Sequence, residues 1–207
     1  MIADWLRPIE QIFLAVRGAD ARVIGITSPH LGSGVSTLAR TLAENYACAG
    51  IRTLLIDLTV PLSEATSHPT NWVPPGQPGP LEPIKRPTAG YDRLTCHATR
   101  ETRFLYNNSE LLRQSLDKEL DQYAAVILDL PPLLTKKSDL LNGLAIAAAC
   151  DAVCMVCITG GITYNELTTA SEMLKTARVP LLGVVLNDVV PSRRAKSFKT
   201  DFSLADR

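Results

Sequence analysis

The 207-residue sequence lacks a net charge, with 21 Lys and Arg set against 21 Asp and Glu. That balance gives it no bulk attraction for nucleic acid or for an anionic membrane. It also lacks any run of about 18 apolar residues, and no basic N-terminal flank leads into an unbroken apolar stretch. Neither a membrane-spanning helix nor a signal peptide is therefore expected, and the chain reads as soluble. Cysteine is sparse and odd in number. Five residues scattered through apolar segments predict reduced thiols in a cytoplasmic setting rather than a secreted disulfide framework. No internal repeat is present. What remains, 46% apolar and 20% charged content, suits one globular domain able to bury a core without metal or disulfide staples.

Residues 3–17 set Trp5, Ile9, Phe13 and Val16 at helical spacing, which predicts an amphipathic packing or assembly helix within 1–20. Residues 22–27 (RVIGIT) and 52–58 (RTLLIDL) read as buried strands around a helix carrying Leu38, Leu42 and Tyr46 and closed by Gly50, one complete βαβ unit. The stretch 61–87 holds eight of the fourteen prolines and predicts a long irregular loop within 61–90, with Trp72 folded back over the domain edge. A weak strand is then expected at 91–95, and a helix from Ser109 with Leu112, Leu116 and Leu120 on one face. Further strands are expected at 125–130, 152–158 and 181–186. A helix over 138–149 and one opened by a capping box from Thr163 to Glu166 lie between them. Alternating strands and helices place 21–190 in the α/β class, with a mostly parallel sheet covered by helices on both faces. Residues 191–207 read as a polar, basic, frayed tail.

Three elements carry chemistry at the carboxyl ends of strands, where parallel sheets bind ligands. The first is 27–37, TSPHLGSGVST. Gly32 and Gly34 permit a sharp turn, and helix onset near Ser36 aims free amides at it, the geometry that cradles phosphate oxygens. Gly32, Ser33, Gly34, Val35, Ser36 and Thr37 are thus candidate phosphate contacts, with the Ser36 hydroxyl a candidate magnesium ligand. Against the P-loop pattern, Val35 stands where lysine is expected and Pro29 where the leading glycine is expected. The second and third elements are Asp57 and Asp129, acids that end buried strands and offer magnesium hard oxygen ligands. Elsewhere the pattern is less telling. Cys154 and Cys157 lie at an odd spacing that sends their thiols to opposite faces of a strand. His30 lies inside the glycine loop as a possible ligand contact, whereas His68 and His97 stand far from any nucleophile.

The sequence TSPHLGSGVSTLARTLAENYACAGIRTLLIDL, followed by NNSELL, YAAVILDLPPLL, CDAVCMVCITGGITYNEL and VPLLGVVLNDV, resembles the cytoplasmic ATPase domain of bacterial tyrosine autokinases, the BY-kinases. These are MinD/ParA-type P-loop proteins of capsule and exopolysaccharide systems. The resemblance implies a P-loop NTPase-like fold, ATP or ADP with magnesium as cofactor, and catalytic or metal-binding roles for Asp57 and Asp129. It also implies that Asn187 lies near the adenine. A membrane polysaccharide co-polymerase, or another protein of the exopolysaccharide machinery, would be the partner at the inner face of the cell membrane. A homo-oligomer is implied as well, and no nucleic acid.

Departures from that family pattern bear on activity. The lysine replaced by Val35 would neutralise charge on the β and γ phosphates, and removing one such group typically costs roughly 3–4 kcal/mol of transition-state stabilisation. Thr59 stands where a second acid is expected, Phe13 and Val16 replace the arginines of an E-x-x-R-x-x-R assembly motif begun by Glu10, and 191–207 contains no tyrosine. The expectation is a degenerate, non-phosphorylating relative with weak or no ATP binding. It would serve as a cytoplasmic accessory or regulator of capsule, holdfast or biofilm polysaccharide synthesis and export. Two alternatives stay open. One is an active ATPase or autokinase that borrows a cation from Arg40, Lys136, Lys137 or a partner, and the other is a MinD/ParA-like positioning ATPase.

Overall fold

Each short apolar run that the sequence marks as a strand becomes one, because β-branched and aliphatic side chains fit a sheet whose inner strands are buried on both faces, while the last strand, at the edge, is partly exposed. A computed structural model describes residues 6–62, 72–75, 84–86 and 90–188. In chain order its elements are α1 (Leu6–Gly18), β1 (Val23–Thr27), α2 (Val35–Cys48), β2 (Thr53–Asp57), β3 (Ile84–Arg86), β4 (Tyr91–Thr95), α3 (Arg103–Asn107) and α4 (Ser109–Glu119). They continue with β5 (Ala125–Asp129), α5 (Gly143–Ala147), β6 (Ala152–Ile158), α6 (Tyr164–Thr176) and β7 (Leu181–Asn187). The strands form one sheet in the order β3-β4-β2-β5-β1-β6-β7. Six are mutually parallel, and β3 pairs antiparallel with β4 at the edge.

Period-two alternation sorts the side chains onto two cores. Ile24, Ile26, Leu55, Ile127 and Cys154 pack with Val35, Leu38, Leu42 and Tyr46 of α2. Val23, Leu54, Ile56, Val126 and Cys157 pack on the opposite face with helices α3 to α6, through Tyr106, Leu112, Ile146 and Leu174 among others. Cys154 and Cys157 thus lie on opposite faces, as their spacing predicts. The first helix belongs to the α2 side, where Val16 is fully buried and the Phe13 ring meets Tyr46 edge-on at 4.8 Å. Trp5 and Ile9 lie outside the side chains described, and so does the tail 191–207.

Three expectations need correcting. The helix expected over 138–149 is confined to Gly143–Ala147, because Asn142 caps it by accepting from the amides of Leu144 and Ala145. The proline-rich stretch is not wholly irregular, since it contributes β3 to the sheet. The short α3 was not anticipated, because five residues hold too little periodicity to detect. Trp72 does fold back. It is 2% exposed, its indole N–H donates to Glu119 Oε2 at 2.7 Å, and Tyr106 donates its hydroxyl to the Trp72 carbonyl. The capping box at Thr163 and Glu166 is present in full. Among the described residues no helix is long and apolar enough to cross a membrane.

Candidate phosphate-binding site

The glycine loop sits above the carboxyl end of β1, where strand order changes direction between β5 and β6. Its path is set by local hydrogen bonds. Ser28 and Ser33 both donate their hydroxyls to the His30 carbonyl, at 2.6 and 2.9 Å. Gly32 and Gly34 take φ values of 81° and 95°, a left-handed backbone that residues with a Cβ resist. The helix α2 then starts at Val35: the Thr37 and Leu38 amides donate to the Gly34 carbonyl at 3.1 and 3.0 Å, which leaves the Val35 and Ser36 amides at the turn without an intrahelical acceptor. Ser36 and Thr37 are exposed at that end.

Contacts from three other elements hold the loop in place. Asn187, at the end of β7, donates from Nδ2 to the Ser33 carbonyl at 3.0 Å. The amides of Leu133 and Leu134, beyond β5, donate to the carbonyls of Ser28 and Pro29 at 2.8 and 3.0 Å. His30 Nε2 lies 3.0 Å from Glu166 Oε1, in a pair about 40% exposed on either side. That contact ties the loop to the start of α6.

Asp57 and Asp129 end adjacent parallel strands and are paired in register, so both carboxylates project on the face that carries α2. Their surroundings differ. Asp57 Oδ1 accepts from the Thr59 amide and hydroxyl at 3.1 and 2.8 Å, and its Oδ2 accepts from Arg93 Nη2 at 2.8 Å. Asp129 is 4% exposed, and its Oδ1 has no hydrogen-bond partner. Burial pushes the Asp129 carboxyl up to about 6; the Asp57 charge adds to the rise, while the Ser36 hydroxyl, Arg93 and Arg40 oppose it.

The predicted site residues therefore divide. Gly32, Ser33, Gly34, Val35, Ser36, Thr37 and Asn187 come together around one turn, and Asp57 and Asp129 stand beside its helix. The backbone fits a phosphate group, and Asp129 with Ser36 fits a hydrated magnesium ion, which needs few protein oxygens. Asp57 fits such an ion less well, because both its oxygens are already engaged. Among the described residues no group of three or more His, Cys, Asp or Glu side chains could hold a metal.

Val35 is only 9% exposed and packs in the α2 core. Arg40 is exposed and donates from Nε to the Ser36 carbonyl at 3.0 Å, while Lys136 and Lys137 are exposed beyond β5. Sequence reasoning missed Arg93. It lies on a weak strand, and only the order β4-β2-β5 brings it to Asp57. The sequence marks Glu166 as a cap, and the fold adds its contact with His30.

A sheet of this order with a glycine loop above its first strand defines a P-loop NTPase-like fold. No family model matches the chain. The tyrosine-protein kinase CpsD of Streptococcus agalactiae is 26% identical over 199 residues, covering 87% of this chain and 83% of the relative. The kinase domain of the Escherichia coli tyrosine kinase ETK superposes with a TM-score of 0.69 at 24% identity, covering 95% of this chain and 77% of that one. The septum site-determining protein MinD of Pyrococcus horikoshii, complexed with Mg-ADP, superposes with a TM-score of 0.55 at 17% identity, covering 84% and 72%. The resemblance to bacterial tyrosine kinase domains and their MinD-like P-loop relatives is thus borne out in sequence and in fold.

Proposed function

We propose that this chain is a non-phosphorylating BY-kinase-like protein that works by binding, as a cytoplasmic accessory or regulator of exopolysaccharide synthesis and export. The observation that carries this reading is the burial of Val35 at the lysine position of an otherwise well-formed phosphate turn. A valine packed at 9% exposure among Leu38 and the sheet residues supplies no charge to a triphosphate, and charge stabilisation is the larger part of phosphoryl transfer. Of the cations that could stand in for the lysine, Arg40 folds onto the Ser36 carbonyl, and Lys136 and Lys137 are exposed to solvent. ATP or ADP with magnesium would bind weakly or not at all, through the turn 32–37, Asn187, Asp57 and Asp129.

The relatives' naming as tyrosine-protein kinases supports a place beside a membrane polysaccharide co-polymerase, which would bring the protein to the inner face of the membrane. Within this reading 21–190 is the P-loop NTPase-like domain, with 1–20 an assembly helix and 191–207 a polar, basic tail. Calorimetric titration of ATP with magnesium into the native protein and Val35→Lys tests it. Weak or undetectable native binding with tighter binding in the variant is expected. Tight native binding, or phosphotyrosine on the purified native chain, overturns the proposal.

A further inference from the structure

Period-two alternation brings one more charged group to the phosphate face. In β4, Thr95 stands opposite Asp57 and Arg93 opposite Leu55, so Arg93 shares the α2 side of the sheet and reaches up one pleat to the acid. Its Nη2 meets Asp57 Oδ2 at 2.8 Å, with side chains 27% and 14% exposed. Arg93 Nε is buried without a hydrogen-bond partner, so the guanidinium is held there through the carboxylate. With Thr59 donating twice to the other oxygen, Asp57 has both oxygens occupied and its charge balanced. Beside it, Asp129 keeps one buried oxygen with no partner.

A divalent ion and a guanidinium compete for the same carboxylate oxygens and repel each other at close range. We propose that Arg93 is a tethered counter-cation that keeps divalent metal off the Asp57–Asp129 pair, so that a metal binds there only once the Arg93–Asp57 ion pair opens. The inference rests on reading these two acids as the metal corner of the phosphate turn, but it concerns the metal alone and needs no nucleotide.

The test is a titration of Mn²⁺ alone, at constant ionic strength and without nucleotide, into the native full chain, Arg93→Gln, Asp57→Asn and the double variant. Mn²⁺ binding is followed by electron paramagnetic resonance, and circular dichroism monitors folding. The native chain should bind weakly, and Asp57→Asn should leave that affinity unchanged. Arg93→Gln should bind roughly ten- to a hundredfold more tightly, the equivalent of one charge-assisted hydrogen bond, and the double variant should lose the gain. Equal affinity of the native chain and a folded Arg93→Gln overturns the proposal. If Arg93→Gln does not fold, Arg93→Met, which keeps the length and packing of the side chain without its charge, decides: tighter Mn²⁺ binding than the native chain supports the tether, and equal affinity overturns it. Failure of the ATP titration to behave as expected would leave these outcomes intact, so the two readings can fail separately.

Discussion

Asn187 Nδ2 donates to the Ser33 carbonyl at 3.0 Å and lies 2.6 Å from where a Cβ on Gly34 would sit. The end of the last strand thus closes over the glycine turn, and Gly34 is fixed both by its φ of 95° and by lack of room. Gly32, with a φ of 81°, meets nothing within 4 Å.

The two glycines should therefore answer differently to alanine. Gly32→Ala carries only left-handed strain, about 1 kcal/mol. Gly34→Ala must also displace Asn187 and should cost about 2 kcal/mol or more. Urea denaturation of both variants checks this, and equal losses would contradict the contact.

Asp129 makes stability depend on pH. Burial pushes its carboxyl up to about 6, well above the ordinary aspartate range, so on acidification the native state takes up this proton before the unfolded chain does. The residue therefore disfavours folding by about 3 kcal/mol above pH 6, and that penalty fades as pH falls from about 6 to about 4. Asp129→Asn should be more stable than the native protein at pH 7 and should lose this part of the pH dependence. Thermal melts between pH 4.5 and 7.5 read the difference.

Gly143 opens α5 directly against Pro131. An added Cβ would collide with the Pro131 carbonyl oxygen, which already accepts from the Thr27 hydroxyl at 2.9 Å. Backbone cannot yield as a flexible side chain can, so Gly143→Ala should cost about 3 kcal/mol or more. Denaturant unfolding would show it as a lowered midpoint.

Trp72→Phe keeps an aromatic ring beside Tyr106 but removes the indole donor to Glu119. A loss of about 1 kcal/mol is expected. A neutral result in chemical denaturation would mean that this bond adds little to holding the segment down.

Much of the fold was legible because burial on both faces forces apolar runs into strands. The stretches IGIT, LLID and VILD announced themselves in that way, and the Thr163 capping box marked α6. The start of α5 was hidden in LLNGLAIAAA, where apolar residues continue past both ends of the helix and the Asn142 cap that sets its beginning is a single polar residue among them. In the site, residue type and order revealed the glycines and both acids. Arg93 stayed invisible, since a guanidinium on a three-strand crossing has meaning only when neighbours distant in sequence are known. The partner of His30 was hidden for the same reason, since Glu166 lies 136 positions further along the chain.

The amides of Leu133 and Leu134 rest on the carbonyls of Ser28 and Pro29, so the exit from β5 and the turn above β1 are stitched into a single plate. A tug on the exposed Lys136–Lys137 stretch would thus be transmitted through main chain to the rim of the glycine cradle, a mechanical linkage that requires no chemistry to operate.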